Sequence, residues 1–262
     1  PPRYTVTNYS SSGSEAMLAL FLNPAIMGLG ALFLAIVWML RDETDKTRAW
    51  LVIALVVNLA YGCILSLVMS KESGLVPWKY DYVLYRLDGV LGLSATRVAA
   101  WLQPAIVPLF IVYQLMVPMM IAWFMVSRSA MKAGSIVVAY IVEMITGPAL
   151  YAVLPACGPV YVFRERWLNP PRVEASVIRM SGMPNAFPSL HLATAVVFVL
   201  FAPKALSRAV AIAFLAATGL ATIATGEHYL IDLVAGAAFG CFAAAVGHRR
   251  VVPSVLLGGL AL

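Results

Sequence analysis

Long apolar runs constrain this chain more than any other feature. They occupy residues 16–40, 49–69, 103–126, 134–154, 188–202, 206–225 and 228–246. Most approach the ~20 residues that a helix needs to cross a bilayer. A β-barrel is excluded, because its strands are short and alternate apolar with polar residues. An ordinary soluble domain is excluded too: 11% of the residues are charged, against about 25% in soluble proteins. The expected fold is all-α, a polytopic integral membrane helical bundle of six to seven transmembrane helices forming one domain over residues 1–262. Residues 1–15 read as a polar tail, 70–102 as an interfacial loop and 155–187 as an outer loop. The run at 16–40 is too long for a signal-peptide core and has no basic region just before it, so it is expected to span.

The net charge of +6 does not indicate nucleic acid, because the basic residues are scattered between helix ends. Membrane topology accounts for them better. Lysines and arginines divide equally between the two sides, but one side packs them into very short loops: Arg41, Lys46 and Arg48, then Arg128 and Lys132, then Arg249 and Arg250. The positive-inside rule is strongest for short loops, so that side is expected to be cytoplasmic. The cysteines, Cys63, Cys157 and Cys241, are too scattered for a disulfide framework or a zinc spacing.

Two motifs stand where apolar runs begin. The first is Asn185-Ala186-Phe187-Pro188-Ser189-Leu190-His191, and the second is Gly226-Glu227-His228-Tyr229-Leu230-Ile231-Asp232. They hold two of the chain's three histidines, and the topology above puts both on the extracytoplasmic side. Pro188 suits a helix start and Ser189 a cap, which would open first-turn N–H groups to an anion beside His191. A capped helix start with an ordinary interfacial histidine fits the same residues. On a helix, His228 and Asp232 share one face, about 6 Å apart along the axis. The carboxylate then accepts from one imidazole nitrogen and leaves the other to react. A structural staple at a helix end is the plainer alternative. A zinc site is a third, although nothing like His-Glu-x-x-His supports it.

Other polar residues are candidates by position. Arg164, Arg166, Arg172 and Arg179 precede the first motif, and planar two-pronged hydrogen bonding would suit them to a phosphate. Pairing with Glu165 and Glu174 or with lipid headgroups is the competing expectation. Ser189, Arg179, Arg172 and Arg164 are thus the expected phosphate-binding set. Glu143 lies in mid-run, where carboxyl groups are functional or paired. It either supports a catalytic histidine or hydrogen-bonds between helices. The loop at 70–102 carries Trp78, Tyr80, Tyr82, Tyr85 and Trp101, which favour the headgroup region. It is expected to lie on the membrane as a connector or to form part of a lipid entrance.

Together the two motifs resemble the second and third signatures of the type 2 phosphatidic acid phosphatase superfamily, over roughly residues 151–240. The forms Ala186-Phe187-Pro188-Ser189-Leu190-His191 and His228-Tyr229-x-x-Asp232 are most similar to the branch containing inositol phosphorylceramide synthase and, more distantly, sphingomyelin synthases. The stretch Pro155-Ala156-Cys157-Gly158-Pro159-Val160-Tyr161 is similar to a proline-rich segment of that branch. Two departures set the chain apart from the phosphatase branch. It lacks a Lys-x6-Arg-Pro signature, and it has Ala221-Thr222 where that branch has Ser-Arg.

The resemblance implies that His228 attacks phosphorus, Asp232 orients it and His191 protonates the departing oxygen. A phosphohistidine then passes its group to an alcohol or to water. No cofactor and no metal are implied. The implied partners are a phospholipid or lipid-phosphate substrate and a lipid alcohol or water acceptor, with no nucleic acid. A lipid phosphotransferase is the favoured expectation and a phosphatase of lipid or polyprenyl phosphates the runner-up. A non-catalytic lipid transporter is the rival from another class, but transporters commonly show internal repeats and this chain shows none.

Overall fold

A computed structural model describes residues 53–57, 60, 61, 64, 76–90, 92, 94–126 and 130–248. The first expected span and most of the second lie outside these residues, as do the polar tail and Arg249–Arg250. From residue 76 the chain runs β1 (Trp78–Lys79), α1 (Asp81–Val90), α2 (Ala95–Leu102), a 3-10 turn (Gln103–Ala105), α3 (Ile106–Gln114), α4 (Met116–Val126) and α5 (Ala130–Val153). There follow α6 (Pro159–Phe163), a second 3-10 turn (Arg164–Arg166), β2 (Ile178–Arg179), α7 (Leu190–Leu200), α8 (Ala205–Ala224) and α9 (Leu230–His248). The fold is an all-α membrane bundle. Among the described residues four helices are long and apolar enough to cross a bilayer: Ala95–Gln114, Lys132–Val153, Ala205–Ala224 and Leu230–His248. Met116–Val126 and Leu190–Leu200 are shorter apolar helices.

The third apolar run differs from the single helix expected at 103–126. It begins earlier, at Ala95, where the Ser94 hydroxyl accepts from the Arg97 N–H and caps the first turn. It is then interrupted at Gln103–Ala105 and again at Leu115. Pro104, Pro108 and Pro118 explain this, since each removes a backbone donor and crowds the preceding turn. At the second break the Leu115 N–H turns to the Val112 carbonyl three residues back.

The segment at 70–102 is correspondingly more than a surface connector. Asp81, Leu84 and Asp88 form the buried stripe of α1, at helical spacing. Their partners lie far along the chain. β1 pairs antiparallel with β2, Trp78 opposite Arg179, which ties this segment to the loop at 155–187. Trp78 and Trp101 stay exposed, as suits aromatic residues at a headgroup boundary.

Helix α7 runs through the middle of the bundle, buried from Leu192 to Phe198. It packs against α9, α8 and α5. A Cβ at Gly236 or Gly240 of α9 would collide with the carbonyl oxygens of Ser189 and Ala193 on α7. Small residues four apart therefore let the two backbones touch, the usual means of tight helix contact in lipid. Deeper in, Trp123 donates to the Phe198 carbonyl at 2.8 Å. Tyr140, Phe198 and Phe214 fill the space between α5, α7 and α8. The close α7–α9 contact sets the separation of the two motifs, because each motif begins one of these helices.

Candidate active site

His228 is held from three directions. It does not open α9 as its spacing from Asp232 suggests; it stands two residues ahead of Leu230, outside the helix. The reason is Asp88, whose Oδ2 accepts from the Leu230 N–H at 2.9 Å and whose Oδ1 accepts from the Ile231 N–H at 3.0 Å. A carboxylate from α1 thus caps α9 in trans, and the helix begins where that cap sits. Its own burial pushes Asp88 above the ordinary carboxylate range, while the backbone donors pull it back.

The imidazole of His228 is buried. Its Nδ1 lies 2.7 Å from the Ala186 carbonyl oxygen and 3.5 Å from Asp232 Oδ2. A carbonyl can only accept, so Nδ1 carries a hydrogen, and in the neutral ring Nε2 then keeps the lone pair. Nε2 is 3.3 Å from the Ser189 hydroxyl. Asp232 Oδ2 also accepts the Tyr229 N–H at 2.7 Å, and Oδ1 has no partner among the described residues. The expected His–Asp pair is therefore real but longer than the bond to Ala186. The carbonyl is the nearer orienting group.

Ser189 joins the two motifs. Its hydroxyl accepts from the Leu192 N–H at 3.4 Å as the cap of α7, and its own N–H donates to the Asp232 carbonyl at 3.1 Å. His191 follows in the first turn. Its ring stacks on Tyr113 of α3 with centroids 4.2 Å apart, and its Nδ1 is 3.2 Å from the Tyr113 hydroxyl. That hydroxyl donates to Glu227 Oε2 at 2.5 Å.

The proline-rich stretch supports this arrangement from behind. Asp81 accepts from the Gly158 N–H at 2.8 Å, the Cys157 N–H at 3.1 Å and the Tyr229 hydroxyl at 3.0 Å. Burial raises Asp81 above the ordinary carboxylate range, and these three donors oppose the rise. Burial, with Asp81 adding to it, pushes the Cys157 thiol up to about 12. Cys157 is then a protonated, inert thiol. Lys79 is buried and donates to the Val76 carbonyl, and burial lowers its affinity for a proton. The Val160 N–H bonds the Gly226 carbonyl and the Ala186 N–H bonds the Ala156 carbonyl. The stretch thus holds both motifs to one another.

The structure does not gather the other sequence candidates in the same way. Arg164, Arg166, Arg172 and Arg179 are all exposed. Among the described residues none of them pairs with Glu165 or Glu174, and none bonds His191, His228 or Asp232. Arg179 lies beside the Trp78 ring, 6.0 Å from its centroid. Glu143 accepts from the Thr194 hydroxyl at 2.7 Å, linking α5 to α7, and bonds neither histidine. At the site of the phosphatase-branch arginine, the Thr222 hydroxyl turns back to the Gly219 carbonyl. Sequence reading missed Tyr113, Asp81, Asp88 and the roles of Glu227 and the Ala186 carbonyl. Their contacts bridge distant positions and leave no local pattern.

The fold and its apolar helices define an integral membrane protein of the helical-bundle class. The chain belongs to the PAP2 superfamily, whose model matches residues 83–246. It is accordingly a phosphatase or phosphotransferase of lipid-like phosphate esters. No curated protein and no solved structure matches it.

Proposed function

We propose that the protein is a lipid phosphotransferase that moves a phosphoryl or phospho-headgroup from a phospholipid to a lipid alcohol. The whole chain acts as one transmembrane catalytic domain, with the chemistry on the extracytoplasmic face. The observation that carries the reading is the hydrogen bond from His228 Nδ1 to Ala186, which leaves the Nε2 lone pair beside Ser189. In the first half-reaction Nε2 bonds phosphorus, the phosphorus–oxygen bond to the donor breaks, and the proton on His191 Nε2 passes to the leaving oxygen. Positive charge grows on the His228 ring, and Asp232 stands 3.5 Å from Nδ1 to meet it. In the second half-reaction an alcohol attacks phosphorus, His191 takes its proton, and the phosphorus–nitrogen bond breaks.

Negative charge on the phosphoryl oxygens needs donors. The Leu230 and Ile231 N–H groups of α9 are already taken by Asp88. The N–H groups of Leu190 and His191 on α7 have no partner among the described residues. These, the Ser189 hydroxyl and one or more of Arg164, Arg172 and Arg179 are the anion-binding groups in this reading. Activity is then expected to survive EDTA. Loss with EDTA and recovery with a divalent ion would overturn that expectation and make His191, His228 and Asp232 metal ligands.

Transfer is favoured over hydrolysis by two departures from the phosphatase branch: the missing Lys-x6-Arg-Pro signature and Thr222 in place of an arginine. The test is to incubate purified protein with headgroup-labelled phospholipid, with and without a long-chain lipid alcohol, and weigh the products. A new phosphorylated lipid that appears only with the alcohol is expected. Free phosphate in equal amount with and without it would make the protein a phosphatase, and free phospho-headgroup in equal amount would make it a phosphodiester hydrolase.

Sidedness has its own test. With Cys157 replaced, a cysteine at Asn169 is expected to react with a membrane-impermeant thiol reagent in intact cells. One at Thr44, outside the described residues, is expected to react only after the membrane is opened. The reverse pattern would place the site on the cytoplasmic face.

A further inference from the structure

The residue before His228 is a glutamate, and it is half-buried rather than exposed. Its backbone is pinned. The Glu227 N–H donates to the Thr222 carbonyl at 3.2 Å, and Gly158 lies so close to the Glu227 carbonyl that a Cβ there would overlap it. Its side chain accepts the Tyr113 hydroxyl at 2.5 Å, a short bond of the kind a charged acceptor makes. The same hydroxyl oxygen lies 3.2 Å from His191 Nδ1, and the two rings stack.

A phenol has a single proton to give. Donated to Glu227, it leaves Tyr113 only lone pairs to offer His191, so the hydrogen of that contact belongs to Nδ1. The nitrogen free to gain and lose a proton is then Nε2. We propose that Tyr113 and Glu227 are positioning residues for His191. They hold its neutral ring as the Nδ1–H tautomer and stabilise the imidazolium that carries the acid proton on Nε2. This rests on the reading of His191 as the general acid. The proton count is simple: the leaving oxygen takes the Nε2 proton, the ring remains Nδ1–H, and the acceptor alcohol returns a proton to Nε2. The Glu227 carboxylate acts through the phenol, one group away from the imidazole. His228 is locked in the same tautomer by a different device, the Ala186 carbonyl.

Three histidines in the chain make the tautomer directly observable. Full-length protein with 15N-labelled histidine is reconstituted in liposomes, and the ring nitrogens are recorded by magic-angle-spinning NMR at a pH where they are neutral. His191 is assigned by difference against His191→Ala. The expected result is a protonated Nδ1 and an unprotonated Nε2 in the native protein, with a mixture of tautomers in Tyr113→Phe and in Glu227→Gln. Tyr113→Phe keeps the stacked ring, so a folded bundle is retained. A protonated Nε2 in the native protein, or an unchanged tautomer in Tyr113→Phe, would overturn the proposal.

Turnover supplies an independent arm. A long-chain alkyl phosphate needs its leaving oxygen protonated, whereas a 4-nitrophenyl phosphate does not. Tyr113→Phe is expected to lower kcat/KM on the alkyl ester, which reports the first half-reaction alone, by about 10- to 100-fold, less than the full 10²- to 10⁴-fold worth of a general acid because His191 itself is kept. The loss on the nitrophenyl ester should stay below about 3-fold, because that step draws little on the acid. Equal losses on both esters would overturn the positioning role. His191→Ala is measured beside it. If that variant also loses equally on both, the general-acid reading of His191 fails, and the NMR result still decides the tautomer.

Discussion

Alanine at position 228 lowers turnover by on the order of 10⁴-fold or more, the scale seen when a covalent nucleophile is removed. Binding of substrate and the fold in detergent persist, because the ring of His228 is one buried group among many in the contact of α7 with α9. His191→Ala costs less, about 10²- to 10⁴-fold, since a general acid assists a bond that the nucleophile must break. Asp232→Asn should cost the least of the three, about 10²-fold. In many His–carboxylate pairs the carboxylate alone sets the tautomer, but here the Ala186 carbonyl at 2.7 Å does so. What Asn removes is the charge opposite Nδ1. Steady-state rates on one phospholipid donor give the order. A loss for Asp232→Asn that matches His228→Ala would show that the carboxylate, not Ala186, sets the ring.

A change far smaller in chemistry is expected to be nearly as damaging. Gly158 has φ of 98° and ψ of 157°, a region that is nearly glycine-only. A Cβ there would also overlap the Glu227 carbonyl oxygen, one residue ahead of His228. Gly158→Ala combines backbone strain with a displaced motif and should destabilise by ~3 kcal/mol or more. In a bundle of this size that lowers Tm by about 10 °C, and turnover falls with it because Glu227 and His228 must shift together. Gly89→Ala is the control: nothing lies within 4 Å of its Cβ position and it sits in α1 with ordinary helical φ. It should be neutral or stabilising by up to ~1 kcal/mol. Thermal unfolding in detergent followed by circular dichroism compares the two. Equal Tm values would mean that the loop at 155–163 can yield without disturbing the site.

What could be read from sequence was what is local. Apolar length announced a helical membrane bundle, and the described residues bear that out. His191, His228 and Asp232 were visible because each motif is contiguous and begins a helix. The superfamily was legible for the same reason. Prolines at 104, 108 and 118 were also in plain view. The apolar length of 103–126 points to one unbroken helix despite them, and the breaks fall at Gln103–Ala105 and Leu115. What stayed hidden joins distant parts of the chain. Asp88 caps Leu230 across 142 positions, Tyr229 reaches Asp81 across 148, and Tyr113 meets His191 across 78. Two aspartates in an aromatic loop look like solvated charges until α1 is seen to bury them. The cap from Asp88 also explains why His228 lies outside α9, which helical spacing alone places inside it.

The central claim is that the transferred group rests for a time on His228. The most direct measurement is rapid quench of the full-length protein with phosphoryl-labelled phospholipid, digestion under alkaline conditions and mapping of the label by mass spectrometry. The account predicts an acid-labile, alkali-stable phosphoryl or phosphodiester adduct on the peptide containing His228, absent from His228→Ala and accumulating when no acceptor alcohol is supplied. Label on the His191 peptide instead, or full turnover with no labelled protein at any quench time, would contradict it.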